Sequence, residues 1–368
     1  MKILITGSEG FIGKNLQVRC KEEGIEYVTY SKENTVDELT AHLNEVDFVV
    51  HLAGVNRPKD ESEFSTGNAG LTELIANTLK ECGNNAPVLF SSSIQAERDN
   101  PYGQSKLSAE KSLQGLLESA GNPIYNYRLP NVFGKWSRPN YNSVVSTFCH
   151  NIANDIPIRV DNPESPVSLV YIDDVVNGFI DTIKSEHRSE YRLPEIKPVY
   201  ETSVGQLAEQ LIQFKNMRQT GVAEPVGTGF VRALYSTYIS YYTPQQFSYE
   251  LVKHEDPRGV FVEMLKTKDS GQFSFFSAHP GITRGEHYHH TKNEKFLVLK
   301  GRAQFGFKHI VTGETFTIET SGEHPEVVET VPGWSHNITN IGDDEMYVML
   351  WANEIFNRDL PDTIGYKV

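Results

Sequence analysis

Three histidines and one glutamate stand at a spacing that could hold a metal ion. His287 and His289 are separated by one residue. On a β-strand, where side chains alternate with a period of two, they point to one face. Glu294 follows after a short turn, and His336 lies in the segment Gly333-Trp334-Ser335-His336. Three imidazoles and one carboxylate suit a divalent transition metal, zinc first among them. His290 breaks the alternation and is expected to face away. A core cluster without metal is the alternative. A second set of residues could move a proton. Tyr102 and Lys106, in Tyr102-Gly103-Gln104-Ser105-Lys106, lie one turn apart on a helical stretch. An ammonium there would lower the phenol pKa and could also hold a nicotinamide ribose, so that Tyr102 exchanges a proton with a carbonyl oxygen. Upstream sits Ser91-Ser92-Ser93, where Ser93 could hydrogen-bond the same oxygen and Ser92 is the alternative.

Both sets need elements to position them. Gly7-Ser8-Glu9-Gly10-Phe11-Ile12-Gly13 follows the first predicted strand, Lys2–Thr6, and opens a helix. Glycines at Gly7, Gly10 and Gly13 allow a tight turn and close backbone approach, and the helix N-terminus offers unpaired N–H groups to a pyrophosphate. The second strand should end near Tyr27–Lys32, where an NAD enzyme carries an acid for the ribose hydroxyls. This chain has Tyr30-Ser31-Lys32 instead, which favours a 2′-phosphate and hence NADPH; Glu9 counts against that reading. Further buried strands are expected at Asp47–Leu52, Pro87–Ser91 and Ile124–Leu129, with amphipathic helices between them. Val204–Met217 reads as the last helix of this half.

After Pro244 the period changes. Val260–Leu265, Gln272–Ala278, Lys295–Leu299, Ala303–Phe307, Glu314–Ile318 and Met346–Trp351 read as short strands punctuated by glycines, an all-β barrel or sandwich. The expected organisation is residues 1–245, an α/β doubly wound parallel sheet, followed by residues 246–368, an all-β barrel. At 368 residues two cores are anticipated. The formal charge of −14 argues against general nucleic-acid binding. Three scattered cysteines, Cys20, Cys82 and Cys149, fit a reducing, cytoplasmic setting. No apolar run approaches membrane-spanning length.

The first half resembles an extended short-chain dehydrogenase/reductase, a Rossmann-type fold. His51-Leu52-Ala53-Gly54, Arg128-Leu129-Pro130-Asn131-Val132-Phe133-Gly134 and Tyr171-Ile172-Asp173-Asp174 carry that resemblance beside the glycine loop and Tyr102/Lys106. It implies cofactor contacts at Leu52, Ala53 and Gly54 and a substrate contact at Asn131, the substrate being typically a nucleotide sugar. The second half matches both parts of the cupin motif, with Val331 where proline is usual. Asp256-Pro257-Arg258-Gly259-Val260-Phe261-Val262-Glu263 and Arg284-Gly285-Glu286-His287 resemble cupin-fold 3,5-epimerases of 4-keto sugars, with Arg258 at substrate. Those epimerases work without metal, and a metal-bound His287 could not also serve as their base. The whole chain is similar to one family, the bifunctional capsular polysaccharide enzyme F. Shared stretches include Phe48–Pro58, Ser91–Lys106 and Thr291-Lys292-Asn293-Glu294-Lys295-Phe296. The family implies a homodimer that epimerises C3 of a UDP-2-acetamido-2,6-dideoxy-4-keto-hexose and then reduces C4. The product would be of the UDP-N-acetyl-L-talosamine type, on the route to N-acetyl-L-fucosamine.

Chemistry supplies the order. A C3 proton is acidic only while C4 is a ketone, because the enolate spreads its charge onto that oxygen; epimerisation must precede reduction. Two other readings remain open at this stage: a reductase whose cupin is a structural or dimerisation module, and a metal oxygenase with an accessory nucleotide domain.

Overall fold

The computed structural model describes the chain except residues 57–59, 61–63, 252–253, 257–258, 262–264, 268–270 and 355–358. By internal packing it divides into two compact units, Met1–Ser143 with Val167–Thr202, and Val144–Pro166 with Ser203–Val368.

The first unit is built on a six-stranded sheet in the order Glu26–Tyr30, Lys2–Thr6, Phe48–His51, Val88–Ser93, Ile124–Leu129, Tyr191–Arg192. Its neighbours all pair in parallel. Ile3, Leu4, Ile5, Phe48, Val49, Val50, Val88 and Leu89 are completely buried, as strands covered by helices on both faces require. Helices Phe11–Glu22, Val36–Glu45, Leu71–Cys82, Pro101–Ala120 and Ile172–Lys184 provide that cover. Leu39, Leu43, Ile75, Leu79, Leu113 and Leu116 from three of them join the core against Leu4, Val49, Val88 and Phe90. From Lys2–Thr6 the chain goes to one side for its second strand and to the other for its third. The order therefore reverses there, and the crevice beyond the carboxyl ends of those strands is where open α/β sheets bind ligands. Gly7 and Leu52-Ala53-Gly54 stand at that crevice.

In the second unit, strands form two five-stranded sheets. One runs Ser248–Glu250, Glu326–Glu329, Glu294–Lys300, Met346–Ala352, Gln272–Ala278, and the other Thr315–Ser321, Arg302–His309, Trp334–Asn340, Thr283–Tyr288, Ile364–Gly365. The pairings within them are antiparallel. This is the expected antiparallel barrel of cupin type. Phe296, Leu297, Val298, Ala303, Phe305, Phe307, Val327, Val328, Ile338, Val348 and Trp351 fill its core. Of the expected strands, Val260–Leu265 is only partly described, as Gly259–Phe261.

The helices Val144–Ala153, Val204–Thr220 and Gly229–Ile239 precede residue 245 and pack within this second unit. Helix Gly229–Ile239 is absent from the sequence reading, which takes Val204–Met217 as the last helix of its half. The reason is physical: Ala233 through Ile239 are all buried, so no polar face marks a helical period.

Candidate active site and metal centre

In the first unit, helix Pro101–Ala120 starts at Asn100, whose side-chain oxygen accepts the Gly103 N–H at 2.8 Å, with Pro101 at the first helical position. That cap sets Tyr102 in the first turn and Lys106 in the next. Between them Gly103 is forced: a Cβ there would lie 2.2 Å from the Gln95 carbonyl oxygen and 2.6 Å from that of Arg98. The Tyr102 phenol interacts with the Ser93 side chain. Ser93 also accepts the Gln95 N–H at 3.2 Å. Ser92 turns the other way and donates to Glu110 Oε1 at 2.5 Å, within the Arg128–Glu110 ion pair of 2.6 Å. Of the two serines, Ser93 is the one beside the phenol.

Lys106 is 4% exposed, and its Nζ donates to the Ser91 carbonyl at 2.9 Å. A Cβ on Gly54 would stand 3.3 Å from that Nζ, so strand end and lysine meet at the crevice. Burial pushes Lys106 down to about 8, against the pull of Glu110. The expected lowering of the Tyr102 pKa is not what the surroundings produce. Burial raises it, and the Ser93 side chain offsets only part of the rise. The ammonium spends its hydrogen bond on Ser91, and desolvation of the phenolate dominates. A phenol that keeps its proton is suited to donating it.

The glycine loop has the shape a pyrophosphate needs. Gly7 has φ +67°, and a Cβ on it would lie 2.7 Å from the Ala53 nitrogen; one on Gly13 would lie 2.4 Å from the Gly7 carbonyl oxygen. Gly10 caps helix Phe11–Glu22 without a side-chain acceptor, so the first turn, with Phe11, Ile12 and Gly13, offers its N–H groups to a ligand. Leu52 and Ala53 are held by their N–H groups to Thr6 Oγ1, each at 3.2 Å. At the end of the second strand Ser31 bonds Asn34 Oδ1 through its N–H at 2.9 Å and its hydroxyl at 3.3 Å, and Lys32 is exposed. These residues fit a dinucleotide, and no acid stands at 30–32 to repel a 2′-phosphate. Asn131 is exposed, its amide donating to the Ser168 carbonyl at 3.2 Å. Arg258 and Glu263 lie outside the described residues.

In the second unit the ligand atoms of His287, His289, Glu294 and His336 all lie within 4.8 Å of one another. The pairing between Thr283–Tyr288 and Trp334–Asn340 sets His287 opposite His336 and shifts register between Gly285 and His287, with Glu286 at φ +62°. Such a bulge bends a strand and re-aims its side chains. His289 follows the strand's last residue, and Glu294 opens the next strand. His290 turns from the cluster and packs edge-on against Tyr288, ring centroids 5.6 Å apart. Glu294 Oε2 lies 3.2 Å from His289 Nε2 and 3.4 Å from His336 Nε2. Ligand atoms about 2.0–2.1 Å from one ion lie roughly 3.0–3.4 Å from each other, so the two Glu294 separations fit a shared ion, with the whole set within 4.8 Å. The charge states fit too. Burial first, and then the His336 charge, lowers the His287 pKa, and burial also lowers that of His336. For Glu294 burial alone would raise the pKa, but hydrogen bonds from His289 and His336 hold it well below the carboxylate range. Neutral imidazoles and an ionised carboxylate are the forms that ligate metal. The buried His336 Nδ1 has no hydrogen-bond partner among the described residues.

The chain matches two families: the NAD dependent epimerase/dehydratase family over residues 3–192, and the polysaccharide biosynthesis C-terminal domain over residues 254–364. A Pseudomonas aeruginosa protein named UDP-2-acetamido-2,6-beta-L-arabino-hexul-4-ose reductase is 54% identical over 369 residues, spanning 100% of this chain and 99% of that one. The solved structure of the capsular polysaccharide assembling protein CapF from Staphylococcus aureus is 41% identical, covers 100% of both chains and gives a TM-score of 0.68. The chain belongs to the CapF family. CapF likeness runs the full length, whereas the Escherichia coli dTDP-4-dehydro-6-deoxyglucose reductase is 26% identical over 50% of the chain. The Bacillus cereus UDP-glucuronic acid 4-epimerase, 20% identical with a TM-score of 0.53 over 59% of the chain, shares the fold.

Around the metal-type cluster of this CapF-family chain stand residues that sequence reasoning missed. Asp362 accepts the N–H groups of His290, Thr291 and Lys292 at 2.9, 2.6 and 2.8 Å, and its carbonyl faces His289 Nδ1. Lys292 is buried with its Nζ 3.2 Å from Glu294 Oε1. No spacing rule links a residue near the C-terminus to a turn so far upstream. The one available signal is that the turn Thr291-Lys292-Asn293 is polar yet bounded by strands of the core.

Proposed function

We propose that this chain reduces the C4 ketone of a UDP-2-acetamido-2,6-dideoxy-4-keto-hexose with NADPH, after its barrel has epimerised C3, to give a UDP-N-acetyl-L-talosamine-type product for capsule or O-antigen synthesis. One observation carries the reductase half: Tyr102, Ser93 and Lys106 converge at the crevice of the parallel sheet. The full-length likeness to a named UDP-keto-sugar reductase supports the substrate. NADPH would be held by the loop Gly7–Gly13, by Ser31 and Lys32, and by Leu52-Ala53-Gly54, and when bound it supplies the hydride. Tyr102 gives its phenolic proton to the C4 oxygen, and Ser93 donates a hydrogen bond to the same oxygen. Lys106, desolvated but still largely protonated at neutral pH, adds positive charge beside them. Asn131 and Arg258 are proposed to contact the substrate.

For the barrel, His287, His289, Glu294 and His336 would hold a divalent ion, zinc by donor type, and such an ion supplies Lewis-acid polarisation of a keto oxygen. The chain's own part is to bury the keto sugar beside that cluster while C3 is still acidic. A reductase part and an epimerase part that meet near residue 245 in sequence, with helices before that point packed in the barrel's unit, and a homodimeric assembly complete the proposal. The Pseudomonas relative is named for reduction alone, which favours as second reading a reductase with a structural barrel. Incubating the 4-keto sugar with the full chain in D2O, without NADPH, separates the two. Deuterium at C3 is expected; its absence, with reduction intact, leaves the second reading.

A further inference from the structure

Helix Gly229–Ile239, which lies upstream of the barrel in sequence and is invisible to periodicity, is tied to the turn that carries two of the candidate ligands. We propose that this helix is a working part of the metal centre, with Arg232 and Ser236 acting as positioning residues that hold His289 and Glu294 at ligating distance. The inference rests on reading His287, His289, Glu294 and His336 as a metal site.

Residues His289 through Asn293 connect two strands and belong to neither. Their geometry is therefore set by whatever their polar groups bond. On one side the Asp362 carboxylate gathers three successive N–H groups and the Thr291 hydroxyl, the last at 3.0 Å. On the other, the Thr291 carbonyl accepts from Ser236 Oγ at 3.1 Å, Asn293 Nδ2 at 3.0 Å and Asn353 Nδ2 at 3.2 Å. Arg232 donates to Thr291 Oγ1 and reaches Glu354 at 3.3 Å. Thr291 is thus gripped from the helix and from the C-terminal tail at once.

The network is dry: Ser236 and Asn353 are 1% exposed and Asn293 3%. Burying polar groups is costly unless they find partners, and the bonds made here favour one backbone geometry over its neighbours, although Asn293 Oδ1 and Arg232 Nε find none among the described residues. A turn fixed only by packing could relax by a few tenths of an ångström without penalty. Here relaxation would break hydrogen bonds to Thr291, and the quantity the turn sets is the 3.2 Å separation of His289 Nε2 and Glu294 Oε2. Partners behind the ligands set metal affinity through orientation, and losing them typically costs about 10- to 100-fold. The boundary suggested by sequence period therefore cuts through the support of the site.

The test uses the full chain, stripped with chelator and reloaded with Co2+ or Zn2+. Affinity is measured by competition with a chromophoric chelator, and ligand geometry by the visible absorption of the Co2+ form. The variant Arg232→Met/Ser236→Ala should bind both ions about tenfold or more weakly, with a shifted or weakened Co2+ band. Ser146→Ala is the control, because it deletes a 2.8 Å bond to Tyr241 elsewhere in the same unit and should leave affinity and band unchanged. Wild-type affinity and an unaltered band in the double variant overturn the proposal while leaving the metal site standing. A wild-type chain that takes up neither ion overturns the metal reading and this inference with it. Should the double variant not fold, Ser236→Ala alone is expected to lose about threefold, since Thr291 keeps two of three donors, and no loss refutes the idea.

Discussion

Replacing Tyr102 by Phe isolates one oxygen atom. The ring keeps its place beside Phe64, whose centroid lies 5.7 Å away, so packing changes little. Ser93 loses the phenol but still accepts the Gln95 N–H at 3.2 Å, and so is not left bare. The stability cost should therefore stay near the net worth of one hydrogen bond, about 1 kcal/mol or less. Removing a general acid, by contrast, slows a carbonyl reduction by about 10²–10⁴-fold, or roughly 2.7–5.4 kcal/mol of barrier. NADPH consumption with the 4-keto sugar should fall by that factor, while deuterium incorporation at C3 in D2O stays within about twofold of wild type, because the barrel is untouched. Reduction within threefold of wild type would show that Tyr102 is not the proton donor. Loss of both activities in a folded variant would show that the two chemistries are not separable as proposed.

Ser93→Ala should lower the reduction rate by about tenfold or more with little change in melting temperature, since it loses a contact to the reacting oxygen. Ser92→Ala should do the reverse, because its partner is Glu110 in a buried ion pair; equal kinetic losses would contradict the assignment. Specificity constants should favour NADPH over NADH by about tenfold, the value of one charge-assisted contact of about 1.4 kcal/mol, and Lys32→Glu should erase the preference. His51 is fully buried between Thr6 and Thr72, at 2.7 and 2.9 Å, and burial, with Lys106 adding to it, depresses its pKa to about 3 from 6.5. Its folded pKa lies below the unfolded one, so the unfolded chain takes up the proton first. Stability is whole above about pH 6.5 and falls as the pH drops toward 3, by up to about 1.4 kcal/mol per unit. His51→Gln should flatten that slope for the first unit in denaturant titrations; an unchanged slope would assign the acid sensitivity elsewhere.

The parallel-sheet unit was open to sequence reading because its signals are local. Gly7, Gly10 and Gly13 sit within one turn of a strand end, and Tyr102 and Lys106 within one turn of each other. The four apolar strands read from the sequence lie within two residues of their observed ends. The same locality sets its limits. Choosing between Ser92 and Ser93 depends on where Glu110 and Arg128 lie, and neither is a sequence neighbour. The direction of the Tyr102 pKa depends on how deeply the phenol is buried and on Lys106 bonding Ser91, and spacing reports neither.

The barrel shows the opposite case. His287, His289, Glu294 and His336 could be grouped because their spacing matches the cupin motif; alternation alone joins only the first two, and His289 in fact lies just past the strand. What holds that group in place comes from Asp362, Arg232, Ser236 and Asn353, which no periodicity connects. Helix Gly229–Ile239 is buried almost all round, so it lacks the polar face by which a helix announces itself. The buried Ser236 reads in sequence as one more small residue in an apolar run, and only in three dimensions does it become a donor to Thr291. A metal centre thus divides into a part that pattern can find, the ligands, and a part that only folding assembles, the polar frame behind them. Mutating a ligand tests the first part. Mutating the frame while leaving all four ligands in place tests the second.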